Sequence, residues 1–164
     1  MIVAFYVAGG VAVLSTFLVI LQTNAIHALL YTILSLLSVA IVFFSLGAPL
    51  VAALEVIVYA GAIMVLFVFV VMVLNLSPET EGVDRAWLQP RTWTGPVILT
   101  LILIGELVYI LMTRAGLTLE GAAIGPKQVS LALYGPYLLG VELASILLLA
   151  GLVGAYHLGR DALD

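Results

Sequence analysis

Cysteine is absent from the 164 residues. That excludes a disulfide framework and any thiolate-ligated metal site. Charge is almost as scarce: 9% of residues are Asp, Glu, Lys or Arg, against about 25% in a soluble domain. Five Lys and Arg stand against nine Asp and Glu, for a net charge of −4, which provides no basic patch for a nucleic acid. Met1 to Ala4 carry no Lys or Arg ahead of the first apolar run, so that run reads as a retained span rather than a signal peptide. Nucleophile–base constellations, phosphate loops and cofactor motifs are missing as well.

What remains is apolar. Hydrophobic residues make up 65% of the chain and its mean hydropathy is +1.32. A small soluble domain leaves too much of its surface in water to hide that much apolar area. The chain's solvent must be largely lipid, where a helix needs about 20 apolar residues to cross. Five such segments are expected, at residues 2–21, 25–46, 50–74, 93–113 and 137–158. A β-barrel would need alternating polar and apolar residues, and the run VLFVFVVMVL does not alternate. The fold class is therefore an all-α membrane protein of five transmembrane helices, read as a single domain over 1–164 without an internal repeat.

The first two connections are short, which makes the first three spans antiparallel neighbours. The third, Asn75–Thr92, is polar and carries Glu79, Glu81, Asp84, Arg85 and Arg91. The fourth, Arg114–Pro136, holds Lys127 and ends in QVSLALYG, apolar enough to lie along the interface. Arg85, Arg91 and Arg160 fall on one side, Arg114 and Lys127 on the other. By the positive-inside rule this sets the amino terminus outside and the carboxyl terminus in the cytoplasm. Small residues make smooth stripes on Ala4, Ala8, Ala12 and Thr16, on Gly140 with Ala144, on Ala150 with Gly154, and on Gly151 with Ala155. Such stripes serve helix packing in lipid, within the chain or against other subunits.

Three glutamates lie inside the spans: Glu55, Glu106 and Glu142. An ionised carboxylate at the centre of a membrane helix costs about 2.5–3.5 kcal/mol on insertion scales. Glu55 reads either as an interfacial group or as part of a proton or water path, with Tyr59 four residues on and on the same face. Glu106 is the deepest, without a Lys, Arg or His within a turn. It is a candidate for the same path or a carboxyl hydrogen-bonded within the bundle. Glu142 reads as structural, and His27 and His157 as hydrogen-bonding groups near span ends.

The third span carries a weak point. Gly61 sits in YAGAIMVLFVFVV, followed by bulky and β-branched residues. Such a segment can take a single-turn π-bulge, a feature frequent at functional sites. Placing or removing it would turn Tyr59, Met64, Val65 or Phe67 toward the interior, which is a gate. Close helix packing at the glycine is the plainer reading.

The same residues carry a resemblance. EVIVYAGAIMVLFVFVVMVLNL resembles the third span of the J-type membrane subunit family of proton-pumping NADH:quinone oxidoreductase, respiratory complex I, whose mitochondrial counterpart is NADH dehydrogenase subunit 6. YLLGVELASILLLAGLVGA is similar to that family's last span, and NAIHALLYTILSLLSVAIVFF more loosely to its second. One departure is Gly140-Val141, where the family often has Pro-Phe. The resemblance implies a non-catalytic subunit that helps couple quinone reduction to proton translocation in a bacterial inner membrane. It implies a π-bulge over Tyr59, Ala60, Gly61, Ala62, Ile63, Met64 and Val65, with Glu55 and Tyr59 near its polar path. It implies that this chain binds no cofactor, while NADH, FMN, iron–sulfur clusters and quinone belong to the parent complex. The implied partners are the K-type small subunit, the quinone-binding H-type subunit, the A-type subunit and the antiporter-like subunits. The alternatives are a subunit of a cation/proton antiporter, a small transporter, and a purely structural packing subunit. A transporter would be expected to show inverted repeats.

Overall fold

The computed structural model describes residues 2–73, 90–114 and 124–160. Five helices are long and apolar enough to cross a membrane: Ile2–Leu21, Ala25–Ser45, Pro49–Val73, Trp93–Thr113 and Leu138–Arg160. The expected all-α, five-span architecture is what the described residues form. We label the helices α1 (Ile2–Leu21), α2 (Ala25–Ser45), α3 (Pro49–Leu54), α4 (Met64–Val73), α5 (Pro90–Arg114), α6 (Pro126–Leu133) and α7 (Leu138–Arg160), with a π segment, Glu55–Ile63, joining α3 to α4. The helix carrying the fourth span starts at Pro90, three residues before the expected Trp93. Proline suits a first turn, where its missing N–H would be unpaired anyway. Residues 74–89 and 115–123, most of the two polar connections, lie outside the described residues. Two compact units make up the chain, Met1–Ala123 and Ile124–Asp164.

Local chemistry explains the sharp turns of the first unit. The Asn24 side chain accepts from the N–H groups of Ile26 at 2.9 Å and His27 at 3.4 Å, capping α2. At the other end of α2, Gly47 has φ 83°. Gly47 N–H donates to Phe44 O and Ala48 N–H to Phe43 O, both at 3.1 Å. This is a Schellman stop, and the left-handed residue in it favours glycine. Pro49 then opens α3. The reversal is complete in three residues, so α2 and the third span must lie side by side.

α1 and α2 form the best-packed pair. Thr16 Oγ1 and Ser35 Oγ are 2.8 Å apart, and Ser35 Oγ donates to the Ala12 carbonyl at 3.2 Å. Hydrogen bonds of this kind hold helices together where lipid offers no hydrophobic drive. Of the Ala4–Thr16 stripe, Ala4 and Ala8 are buried within the chain and Ala12 and Thr16 join this bonding, so the stripe serves internal packing. The apolar core unites Val11, Tyr31, Leu34, Leu99 and Leu103 from α1, α2 and α5. α2 is the shared element: it packs against α1, α5 and each part of the third span.

In the second unit, α6 and α7 meet at a tight turn. Tyr134 N–H donates to Ser130 O at 2.9 Å, and Tyr137 N–H to Ala132 O at 3.2 Å. A Cβ at Gly135 would stand 2.7 Å from the Leu131 carbonyl oxygen, so only glycine closes this turn without a shift. α7 runs unbroken through Gly140 and Val141.

Candidate functional site

The third span is not uniformly wound. α3 gives way at Glu55 to nine residues of π-helix, EVIVYAGAI, and α winding resumes at Met64. The backbone N–H of Met64 reaches back to the carbonyls of Gly61 and Tyr59. The Tyr59 contact, five residues back, is the wider π ring.

Gly61 explains why the segment can exist. A Cβ built at Gly61 would lie 3.1 Å from the Val56 carbonyl oxygen, again five residues back. The widened turn brings that backbone against the position a side chain would fill. Upstream of Gly61, Val56, Ile57 and Val58 are β-branched and lose rotamer freedom against an α-helical turn.

The π winding therefore lies mainly on the amino-terminal side of the glycine. It contains Tyr59, Ala60, Gly61, Ala62 and Ile63, as expected, but starts four residues earlier at Glu55. Met64 and Val65, expected within a single-turn bulge, instead begin α4. The expectation attached the irregularity to the bulky run after Gly61. The close contact of that glycine points the other way along the chain.

The flanks of the segment differ in burial. Met64 is 8% exposed and is the buried residue of α4, while Val65, Leu66, Phe67 and Val68 are all exposed. Tyr59 is 50% exposed, and Glu55 is partly buried at the first π position.

Glu106 lies elsewhere, on α5. It is 9% exposed, and among the described residues neither carboxyl oxygen has a hydrogen-bonding partner in good geometry. Its carboxyl approaches the backbone of Ala8 on α1. The residues expected to share a polar path thus fall in two places: Glu55 and Tyr59 on the π segment, Glu106 at the contact of α1 with α5. Their heights are similar. Glu55 is six residues from the start of α3 and Glu106 eight from the end of α5, about 9 Å and 12 Å at the helical rise.

Two features escaped sequence reasoning. His27 is buried, with its ring 6.4 Å from that of Trp93 in an edge-to-face pair. Gly95 lets the Tyr31 hydroxyl close on α5, since a Cβ there would collide with it. The Gly-Pro pair at 95–96 was the available signal, because glycine beside proline inside an apolar span marks a place where another element comes near. In the second unit, Glu142 is exposed on α7 and His157 and Arg160 occupy its last turn.

The profile of the NADH-ubiquinone/plastoquinone oxidoreductase chain 6 family matches residues 6–158. A protein of Pseudomonas aeruginosa named NADH-quinone oxidoreductase subunit J is 58% identical over 159 residues, covering 96% of each chain. The protein of that name from Escherichia coli (strain K12) is 54% identical over 158 residues, 96% of this chain and 86% of the relative. Its namesake in Buchnera aphidicola from Acyrthosiphon pisum is 50% identical over 157 residues, 96% and 92% of the two chains. A third span wound as π around Gly61, among five helices long and apolar enough to cross a membrane, is thus found in a chain that belongs to the NADH-ubiquinone/plastoquinone oxidoreductase chain 6 family.

Proposed function

We infer that this chain is a membrane subunit of an NADH:quinone oxidoreductase and that its third span acts as a winding switch coupling quinone reduction to proton translocation. The observation that carries the switch is the π segment itself, with Gly61 against the Val56 carbonyl. Each residue of winding gained or lost turns everything beyond it by about 100°. α4 past Ile63 would rotate as a rod. Met64 would leave its buried position, and Phe67, three residues on, would come within about 40° of the direction Met64 had held. A flexible thioether would then be exchanged for an aromatic ring at one point of the interior, while π backbone carbonyls lose or regain the means to hold water. That exchange admits and excludes hydration beside Glu55 and Tyr59. Glu106 is a candidate for a proton or water path on the α1–α5 side.

The redox chemistry belongs to other subunits. Without cysteine the chain offers no iron–sulfur ligands, and it carries no glycine-rich fingerprint for a dinucleotide or flavin. The residues do not fit those groups. The partners are other membrane subunits of the complex, with the K-type, H-type, A-type and antiporter-like subunits as the proposed neighbours. The setting is a bacterial inner membrane, with the amino terminus outside and the carboxyl terminus in the cytoplasm. The family match, together with the absence of an internal repeat, favours this reading over an antiporter subunit or autonomous transporter.

The test uses the assembled complex. Gly61→Val places branched methyls against the Val56 carbonyl and disfavours the π winding; Val65→Gly loosens the start of α4. Both should lower quinone-linked proton pumping while NADH oxidation by artificial acceptors is retained. Full pumping in assembled mutant complex would rule the switch out.

A further inference from the structure

α1 and α5 each present one buried stripe. On α1 it comprises Ala4, Ala8, Val11 and Ser15; on α5, Leu99, Leu103, Glu106 and Ile110. Both stripes advance by four, three and four residues, the spacing of a single helical face. Running the helices antiparallel from the approach of Glu106 to Ala8 sets Ala4 opposite Ile110, Val11 opposite Leu103 and Ser15 opposite Leu99. Glu106 is therefore walled in by apolar side chains above and below, and faces a residue of 0% exposure whose side chain is a single methyl.

The carboxyl needs partners. Its two oxygens offer up to about four acceptor sites, yet among the described residues neither is met in good hydrogen-bond geometry, the backbone of Ala8 making only a loose approach. Ile110, Leu103 and Val11 supply no donors. Ser15 Oγ, the other buried polar atom without a partner among the described residues, stands about 10 Å away along α1 at 1.5 Å per residue, beyond the Val11–Leu103 layer. At 9% exposure, the group is closed to a long side chain of a neighbouring subunit. Buried polar atoms left unmet by protein are characteristically met by internal water, which here would bridge the carboxyl and the adjacent backbone of Ala8.

We propose that the α1–α5 contact contains an internal water-binding site, anchored by the Glu106 carboxyl opposite Ala8 and separated from Ser15 by Val11 and Leu103. The site belongs to a different pair of helices from the π segment and does not rest on the winding switch. It makes Glu106 a water-bonded station within this subunit rather than one link in a chain of groups running past Ser15.

The test is a density map of the intact complex in native lipid, at a resolution that shows ordered water. The wild type should show a solvent peak within hydrogen-bonding distance of the Glu106 carboxyl. The peak should persist in Glu106→Gln, whose amide also binds water, and be lost in Glu106→Leu and in Ala8→Leu, which fills the space. Gly61→Val should leave it in place, so failure of the switch and failure of the site are separable. A wild-type map in which the carboxyl bonds directly to a protein group, with no solvent peak beside it, would overturn the proposal. So would a peak that survives Glu106→Leu. Should the leucine variants fail to assemble, the wild-type and glutamine maps still decide.

Discussion

At Gly61 the π winding leaves little room for anything larger than a hydrogen atom. A methyl there would sit 3.1 Å from the Val56 oxygen in the π form, so the backbone would have to give by a few tenths of an ångström to take it. Alanine also favours ordinary α winding over glycine by about 1 kcal/mol. Both effects push Gly61→Ala toward the α form. The expected outcome is a complex that assembles, with the third span shifted toward regular winding in density maps and pumping reduced less severely than in Gly61→Val. A π segment unchanged in Gly61→Ala would mean the glycine does not control the winding. Tyr59→Phe asks a separate question. If its hydroxyl carries water or protons, quinone-linked turnover should fall; unchanged turnover would reduce the residue to packing. The weak point at Gly61 was legible in the sequence because glycine amid bulky and β-branched residues is locally inconsistent with a plain helix. The direction in which the irregularity extends was not, because it depends on which carbonyl the backbone approaches. Glu106 was legible as a deep carboxylate, but its seat opposite Ala8 follows from helix register, which hydropathy does not encode.

Among the elements, span limits followed from lipid thickness and from stop signals such as Asn24 and Gly47–Pro49, and the helices end within a few residues of where those signals fall. Which helix packs on which was far less visible, since in lipid every apolar face is equally content to face solvent. The pairings rest on a few polar and small residues. One is the Thr16–Ser35 bond. A double-mutant cycle with Thr16→Val and Ser35→Ala should give a coupling of about 0.6 kcal/mol, and no more than about 1.7. Zero coupling would remove it as a determinant of the α1–α2 hairpin. Another is Gly95 beneath the Tyr31 hydroxyl. Gly95→Ala should impair incorporation of the subunit into the complex, and Tyr31→Phe, which deletes the obstructing oxygen, should restore it. Failure of that rescue would show that the collision is not the cause.

For the whole molecule, composition alone decided lipid over water as the solvent. The Lys and Arg distribution gives the orientation only through a small asymmetry, five basic residues in all. The natural absence of cysteine makes this directly testable, since any introduced cysteine is the only thiol in the chain. In intact cells, Lys127→Cys should react with a membrane-impermeant thiol reagent. Arg160→Cys should react only after the membrane is opened. The reverse pattern would invert the topology and, with it, the side on which Glu55 and Glu106 lie.

The claim on which the mechanism depends is that the third span changes its winding during catalysis. Density maps of the complex should be compared between its resting state and steady NADH:quinone turnover. They are predicted to show Glu55–Ile63 as π in one population and α-wound in another, with Phe67 turned inward where Met64 had been. A single, unchanging winding in every population of a complex that is pumping protons would contradict it.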